Sequence, residues 1–231
     1  MIFLLFFIFL AVQSAATQDT LPEFPVHFVV IDGSEEVAAV ATLEQMHREI
    51  EILNTYFVTE DKRTLVRFRF KSATFFDEIE NTACSFVDSA NEGMYIGRWA
   101  NLYKECADTK LRDPRAVNFV IFDSYTDAQG WRSRRSRGAT YGGVPVVFID
   151  YQALGHKGSL EEHEMGHAFG LGHICDSTLT EDGGQNIMHH NGECPDQKKY
   201  RAKYYTGFNA EQEAIIRRAI LRHRKKLGLD K

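Results

Sequence analysis

Apolar residues along the chain fall into two kinds of run. Val26 to Ile31 (VHFVVI), Ala116 to Phe122 (AVNFVIF) and Val144 to Ile149 (VPVVFI) are short, nearly continuous and bounded by turn-forming residues, so each predicts a strand. Pro145 suits a strand edge or beginning. Leu65 to Phe70 (LVRFRF) alternates apolar and basic positions, which predicts a half-buried strand, and Arg137 to Tyr141 can form a short one. Helical spacing governs the other runs. Val37, Val40, Leu43, Met46, Ile50, Leu53 and Phe57 recur three and four apart, so one helix is expected from a cap at Ser34 to Phe57. Further helices are expected around Ile96 to Cys106 and over Leu160 to Phe169. A last helix starts at an Asn209 cap with Gln212 three residues on, and Ala214, Ile215, Ala219, Ile220 and Leu227 give it an apolar face. Its later turns carry Arg217, Arg218, Arg222, Arg224, Lys225 and Lys226, a solvated face that suits the negative helix end. Residues 17–25 read as an extended lead-in, 72–95 as irregular, and Cys175 to Thr206 as loop. The order predicts an α/β upper lobe, a small irregular lower lobe and a cleft between them.

Composition adds the compartment. Met1 to Val12 (MIFLLFFIFLAV) is too short to span a membrane, and Ser14-Ala15-Ala16 follows as a small-residue cleavage pattern. Residues 1–16 therefore read as a signal peptide, which makes the chain secreted, extracellular or, in a bacterium, periplasmic. The remaining 215 residues suffice for one domain with its own core. Four cysteines in an exported chain favour disulfides, and Cys84–Cys106 with Cys175–Cys194 closes the shortest loops of the three possible pairings. No C-x-x-C occurs, which argues against a cysteine zinc site. With 27 basic and 32 acidic side chains, the net charge of -5 speaks against a nucleic-acid partner. No later stretch approaches the length of a membrane anchor.

Residues 163–173 carry the chemistry: His-Glu-Met-Gly-His-Ala-Phe-Gly-Leu-Gly-His. His163 and His167, four apart on a helix, project from one face. Gly170 can take the left-handed conformation that ends the helix and turns His173 back toward them. Three imidazoles with one open position make a site for one catalytic zinc ion rather than a closed structural site. Zinc lowers the pKa of its water, and Glu164 is placed to act as general base and then to return the proton to the leaving amine. Ser159 and Glu162 form a capping box that would steady the first turn.

The run H-E-x-x-H-x-x-G-x-x-H, followed by Gln185-Asn186-Ile187-Met188, resembles the metzincin clan of zinc endopeptidases. The resemblance implies an α/β (α+β) metzincin-like catalytic domain over residues 26–231, with an upper lobe at about 26–172 and a lower lobe at about 173–231. It implies a twisted mixed sheet with two long helices above the cleft, and a lower lobe holding the Met-turn and the C-terminal helix. Met188 would be the methionine beneath the metal, and Gly138, Ala139, Thr140 and Tyr141 the edge strand that pairs with an extended substrate. The subfamily stays open: Gly166 and the Gly-Leu-Gly after Phe169 look like matrixins and pappalysins, whereas Ile174 after the third ligand matches neither reprolysins, astacins nor matrixins. His190 stands where astacins and serralysins carry a metal-touching Tyr, and a three-histidine site does not need it. No cysteine precedes the first strand closely enough for a matrixin-style switch, and no folded prodomain is expected.

The basic segment Trp131 to Arg137 (WRSRRSR) reads as a solvated loop, with a rim for acidic substrate residues as the alternative. Asp176 and Asp182 read as loop residues, and a structural calcium ion has no supporting pattern. The sequence thus predicts a secreted, monomeric zinc endopeptidase acting on proteins or peptides. The alternatives are a toxin-like or adhesive zinc-binding module without turnover, and hydrolysis of an amide or ester in a non-protein substrate.

Overall fold

The computed structural model describes residues 21–79, 84, 103–123, 138–140, 144–155, 160–175, 180, 183–189 and 203–230. Five strands form the main sheet: β1 (Glu23–Val30), β2 (Arg67–Thr74), β3 (Val117–Phe122), β4 (Gly138–Ala139) and β5 (Val146–Asp150). Their order is β2-β1-β3-β5-β4. The first four in that order run parallel, and β4 lies antiparallel to β5 at the edge. The fold is mixed α/β, as the runs predict. Every residue of β3 and β5 is buried, because parallel strands are covered on both faces.

Alternation along these strands divides the core in two. Phe24, Val26, Phe28, Val117, Phe119, Ile121, Val147 and Ile149 face one cluster, which holds the helices. Val29, Ile31, Val120, Phe122, Val146 and Phe148 face the other, where Tyr103, Leu111 and the bonded pair Cys84–Cys106 cover them.

β1 begins three residues before the expected Val26 and takes in Pro25. Pro25 pairs only toward β2, since pairing with β3 starts at Val26, so its missing N–H costs no hydrogen bond there. β2 runs on to Thr74, past the expected Phe70.

The single helix expected from Ser34 to Phe57 is two: α1 (Glu35–Val40) and α2 (Leu43–Tyr56). Ser34 caps the first, its Oγ accepting from the Val37 N–H at 3.3 Å. The break comes at Ala41 and Thr42, where the Thr42 hydroxyl accepts from the Gln45 N–H at 3.2 Å and starts a new helix. Thr42-Leu-Glu-Gln45 has the spacing of a helix start, a signal the apolar stripe masks. The break turns Val40 and Leu43 out to solvent, while Met46, Ile50, Leu53 and Phe57 stay in the core.

α3 (Leu160–Ala168) follows β5, and α4 (Ala210–Leu227) closes the chain. α4 has the expected Asn209–Gln212 capping box and ends on Gly228 at φ 64°. Its buried face is rotated from the expected one: Ile216 and His223 are inside and Ala214 is outside. The segment expected as loop contains two short parallel strands, β6 (Gly184–Asn186) and β7 (Tyr204–Thr206). Ile187, Met188, Ile216, Ala219, Ile220 and Leu227 join the same cluster as α2 and α3. Among the described residues, no helix is long and apolar enough to cross a membrane.

Candidate metal centre

α3 sets the site. Its burial leaves almost no polar face: Glu161, Glu162, His163, Glu164, Met165, Gly166 and Ala168 are all buried. His163 and His167 lie one turn apart, and Gly170 ends the helix at φ +89°, a conformation that favours glycine. The Leu171 N–H then bonds back to the Gly166 carbonyl at 3.0 Å and the Gly170 N–H to the His167 carbonyl at 2.8 Å. That closed turn delivers His173 to the other two rings.

The three Nε2 atoms form a triangle. His163 to His167 is 3.1 Å, His167 to His173 is 3.0 Å and His163 to His173 is 3.2 Å. His163 Nδ1 lies 2.7 Å from the Ile187 carbonyl oxygen, and His167 Nδ1 lies 2.8 Å from that of Leu171. A carbonyl oxygen only accepts, so Nδ1 is the donor in both rings and Nε2 carries the lone pair. Lone pairs converging this closely repel, unless a cation sits among them. Imidazole nitrogens of a tetrahedral zinc site lie about 3.3 Å apart at ordinary Zn–N distances, so this donor set fits that ion. Among the described residues, these three form the group that could hold a metal ion.

Glu164 follows His163 and is buried. Burial pushes its carboxyl up to about 8. The Thr140 hydroxyl donates to the Glu164 backbone carbonyl at 3.0 Å, which ties the end of β4 to the ligand helix. β4 borders the sheet, so Gly138 and Ala139 stand at its edge, Thr140 follows the strand, and Tyr141 lies outside the described residues.

Met188 is fully buried, and its sulfur packs against α3 at Gly166. A Cβ added at Gly166 would come within 2.5 Å of that sulfur, which gives a physical reason for glycine inside the helix. The neighbouring Ile187 carbonyl holds His163, and the Met188 carbonyl accepts from the Ile174 N–H at 3.1 Å. The Met188 turn is therefore bonded to the flanks of two of the three histidines.

Cys175, just beyond His173, is disulfide-bonded, and Cys194 lies outside the described residues. So do Ser159, Asp176, Asp182, His190 and the basic segment 131–137.

Four side chains near the site have burial or partners that their sequence context does not disclose. Glu161 is fully buried and neither carboxylate oxygen has a hydrogen-bond partner among the described residues. Burial, then the charges of Glu49 and Glu162, push its carboxyl up to about 9. Asn186 and Gln212 exchange amide hydrogen bonds at 2.9 and 3.1 Å. His223 is fully buried in α4, and its Nε2 donates to the Ala168 carbonyl at 2.9 Å. For His223 the hint was positional: 212, 216, 219, 220, 223 and 227 mark one helical stripe.

No family model matches the chain, and no curated protein matches it. Among solved structures, the crystal structure of archaemetzincin from Methanopyrus kandleri is similar in fold. It is 12% identical, with a TM-score of 0.45, over 86% of this chain and 96% of that one.

Proposed function

We propose that the chain is a zinc-dependent endopeptidase of the metzincin type, exported and active as a monomer on proteins or peptides. The observation that carries this reading is the triangle of Nε2 atoms 3.0 to 3.2 Å apart, two of them aimed by carbonyls on Nδ1. The motif from His163 to His173 and the buried Met188 support the same reading. The apolar leader and the disulfide-bonded cysteines support export. The edge position of Gly138 and Ala139 supports an extended peptide substrate that adds a strand there.

His163, His167 and His173 would hold the ion. Zinc, when bound, supplies a Lewis acid that acidifies water and polarises a peptide carbonyl. Glu164 would take the proton of the attacking water and hand it to the departing amine. Burial holds that carboxyl up at about 8, and a dication bound by the three histidines would bring it down toward the base form. Thr140, bonded to the Glu164 backbone, fixes the distance from that carboxyl to the substrate edge.

Metal analysis of the purified mature chain should give one zinc per molecule, and a chelator should stop cleavage of an unfolded protein. Glu164→Gln should keep the zinc and lose cleavage by at least about 1,000-fold, beyond what proton transfer alone contributes in milder cases. A chain without zinc refutes the reading. A zinc-loaded chain that cleaves nothing in a diverse peptide library leaves the toxin-like or adhesive module instead.

A further inference from the structure

Two polar contacts run from α4 to the candidate metal centre, and they reach its two sides. At the first, His223 Nε2 donates to the carbonyl of Ala168, the residue after His167. The turn that ends α3 uses the carbonyls of Gly166 and His167, and His223 supplies the donor for the next one along. Water cannot do this, because His223 and Ala168 are both buried. Phe169 packs edge-on against the His223 ring, with centroids 5.2 Å apart.

At the second, Gln212 grips Asn186 through the reciprocal amide pair. Asn186 Oδ1 also accepts from the Met188 N–H at 2.9 Å, and the Gln212 Oε1 accepts from the Asn209 N–H at 3.0 Å. The Met188 turn held this way is the one whose Ile187 carbonyl orients His163.

Gln212 and His223 are eleven residues apart on one 18-residue helix. Eleven residues make about three turns, so both point the same way and stand about 16 Å apart along the axis. One rigid rod therefore fixes the end of the helix that leads to His173 and, separately, the turn that aims His163.

We infer that Gln212 and His223 are positioning residues of the metal centre, setting the spacing of the three histidines through the Met188 turn and the end of α3. This rests on the zinc reading above. A plain packing role fits His223 poorly. Its Nδ1 is buried with no hydrogen-bond partner among the described residues, a cost that a leucine at the same place would avoid. The retained feature is the Nε2 donor.

The test uses the full mature chain and four variants, read by zinc competition with a chelator and by the visible spectrum of the cobalt-substituted protein. In His223→Gln the side-chain amide can place a donor where Nε2 lies. In His223→Asn it reaches only the position of Nδ1. His223→Leu has none. His223→Gln should stay within about three-fold of wild-type zinc affinity and keep its cobalt spectrum. His223→Asn and His223→Leu should lose about 10- to 100-fold, the usual cost of removing an outer hydrogen bond to a metal site, with a changed spectrum. Gln212→Met should shift the spectrum in the same way. If His223→Leu fails to fold, the Gln and Asn pair decides alone. Variants that melt earlier yet match wild type in zinc affinity and cobalt spectrum overturn the positioning role. A wild-type chain that takes up no zinc overturns the metal centre itself, and this role with it.

Discussion

The two ends of α3 solve opposite problems. At its start, acidic side chains crowd into the protein: Glu161 and Glu162 are fully buried, Glu164 nearly so, and Glu49 of α2 stands close by. Glu49 accepts from the Gly155 N–H at 2.7 Å, but Glu161 has no such donor among the described residues. At its finish, the leftover carbonyls are taken up one by one, by the glycine turn and by His223. The finish is fixed by geometry and the start is strained by electrostatics. A dication at the three histidines would act only on the second, since it would favour the ionised form of these raised carboxyls without adding contacts. The start of the helix should thus be the part that senses the metal, and the finish the part that shapes it.

Zinc removal is the largest expected effect. Saturating zinc at about 1,000 times its dissociation constant should add about 4 kcal/mol to stability. A calorimetric scan with and without chelator measures it, and hydrogen exchange should show the loss concentrated at residues 160–167. Equal loss at both ends of α3 would break the comparison.

Acid should attack the other end. Burial holds the His223 imidazole down at about 4, with Arg222 and Lys226 pushing the same way and the Ala168 carbonyl opposing them. A histidine with a depressed folded pKa gives stability that is present above its ordinary value of 6.5 and is lost as pH falls toward 4. The integrated loss is about 3 kcal/mol for this fully buried ring. Urea titrations from pH 7 to 4 on the chelated protein should show that slope, and His223→Gln should flatten it. A slope unchanged in His223→Gln assigns the acid limb to other groups.

Glu161 has the reverse sign. Its carboxyl is held up at about 9, so its favourable contribution is complete below the ordinary value of 4.5 and fades as pH rises toward 9. Glu161→Leu should therefore stabilise the metal-free protein by about 2 kcal/mol at pH 8 and by much less at pH 5. The gain should shrink once zinc is bound. A variant that is less stable at pH 8 would mean the carboxyl has a counter-charge in place.

This division also marks what the chain discloses before it folds. His163, His167, Gly170 and His173 act through spacings of three, four and six along one segment, and the helix geometry that joins them is universal. The structure brings the three histidines together as that spacing requires. β1, β3 and β5 are legible because buried parallel strands are continuous apolar runs, whereas the three-residue strands β6 and β7 have no such run. The burial of Glu161 is not, because nothing in Leu-Glu-Glu-His tells that both acids are turned inward. His223 and Ala168 are 55 residues apart, and Asn186 and Gln212 are 26 apart, so their pairing exists only after α4 has docked. The break at Thr42 is hidden for a different reason: the apolar stripe continues across it, and a three-residue capping spacing is a weaker signal than a stripe of seven.

The smallest effect lies two residues before the finish, at Gly166. Alanine there gains about 1 kcal/mol in helix propensity. Its Cβ would also press to within 2.5 Å of the Met188 sulfur, with the Leu171 side chain at 3.4 Å leaving little room to yield. Overpacking of that kind costs about 1 to 3 kcal/mol, so the net loss should be about 1 kcal/mol. Zinc affinity should fall as well, because a displaced Met188 carries the Ile187 carbonyl away from His163. A double-mutant cycle isolates the contact: in a Met188→Ala background the same alanine meets no sulfur, and Gly166→Ala should turn from destabilising to neutral or slightly stabilising. If the cost of Gly166→Ala is the same in both backgrounds, the glycine serves the backbone and not the methionine.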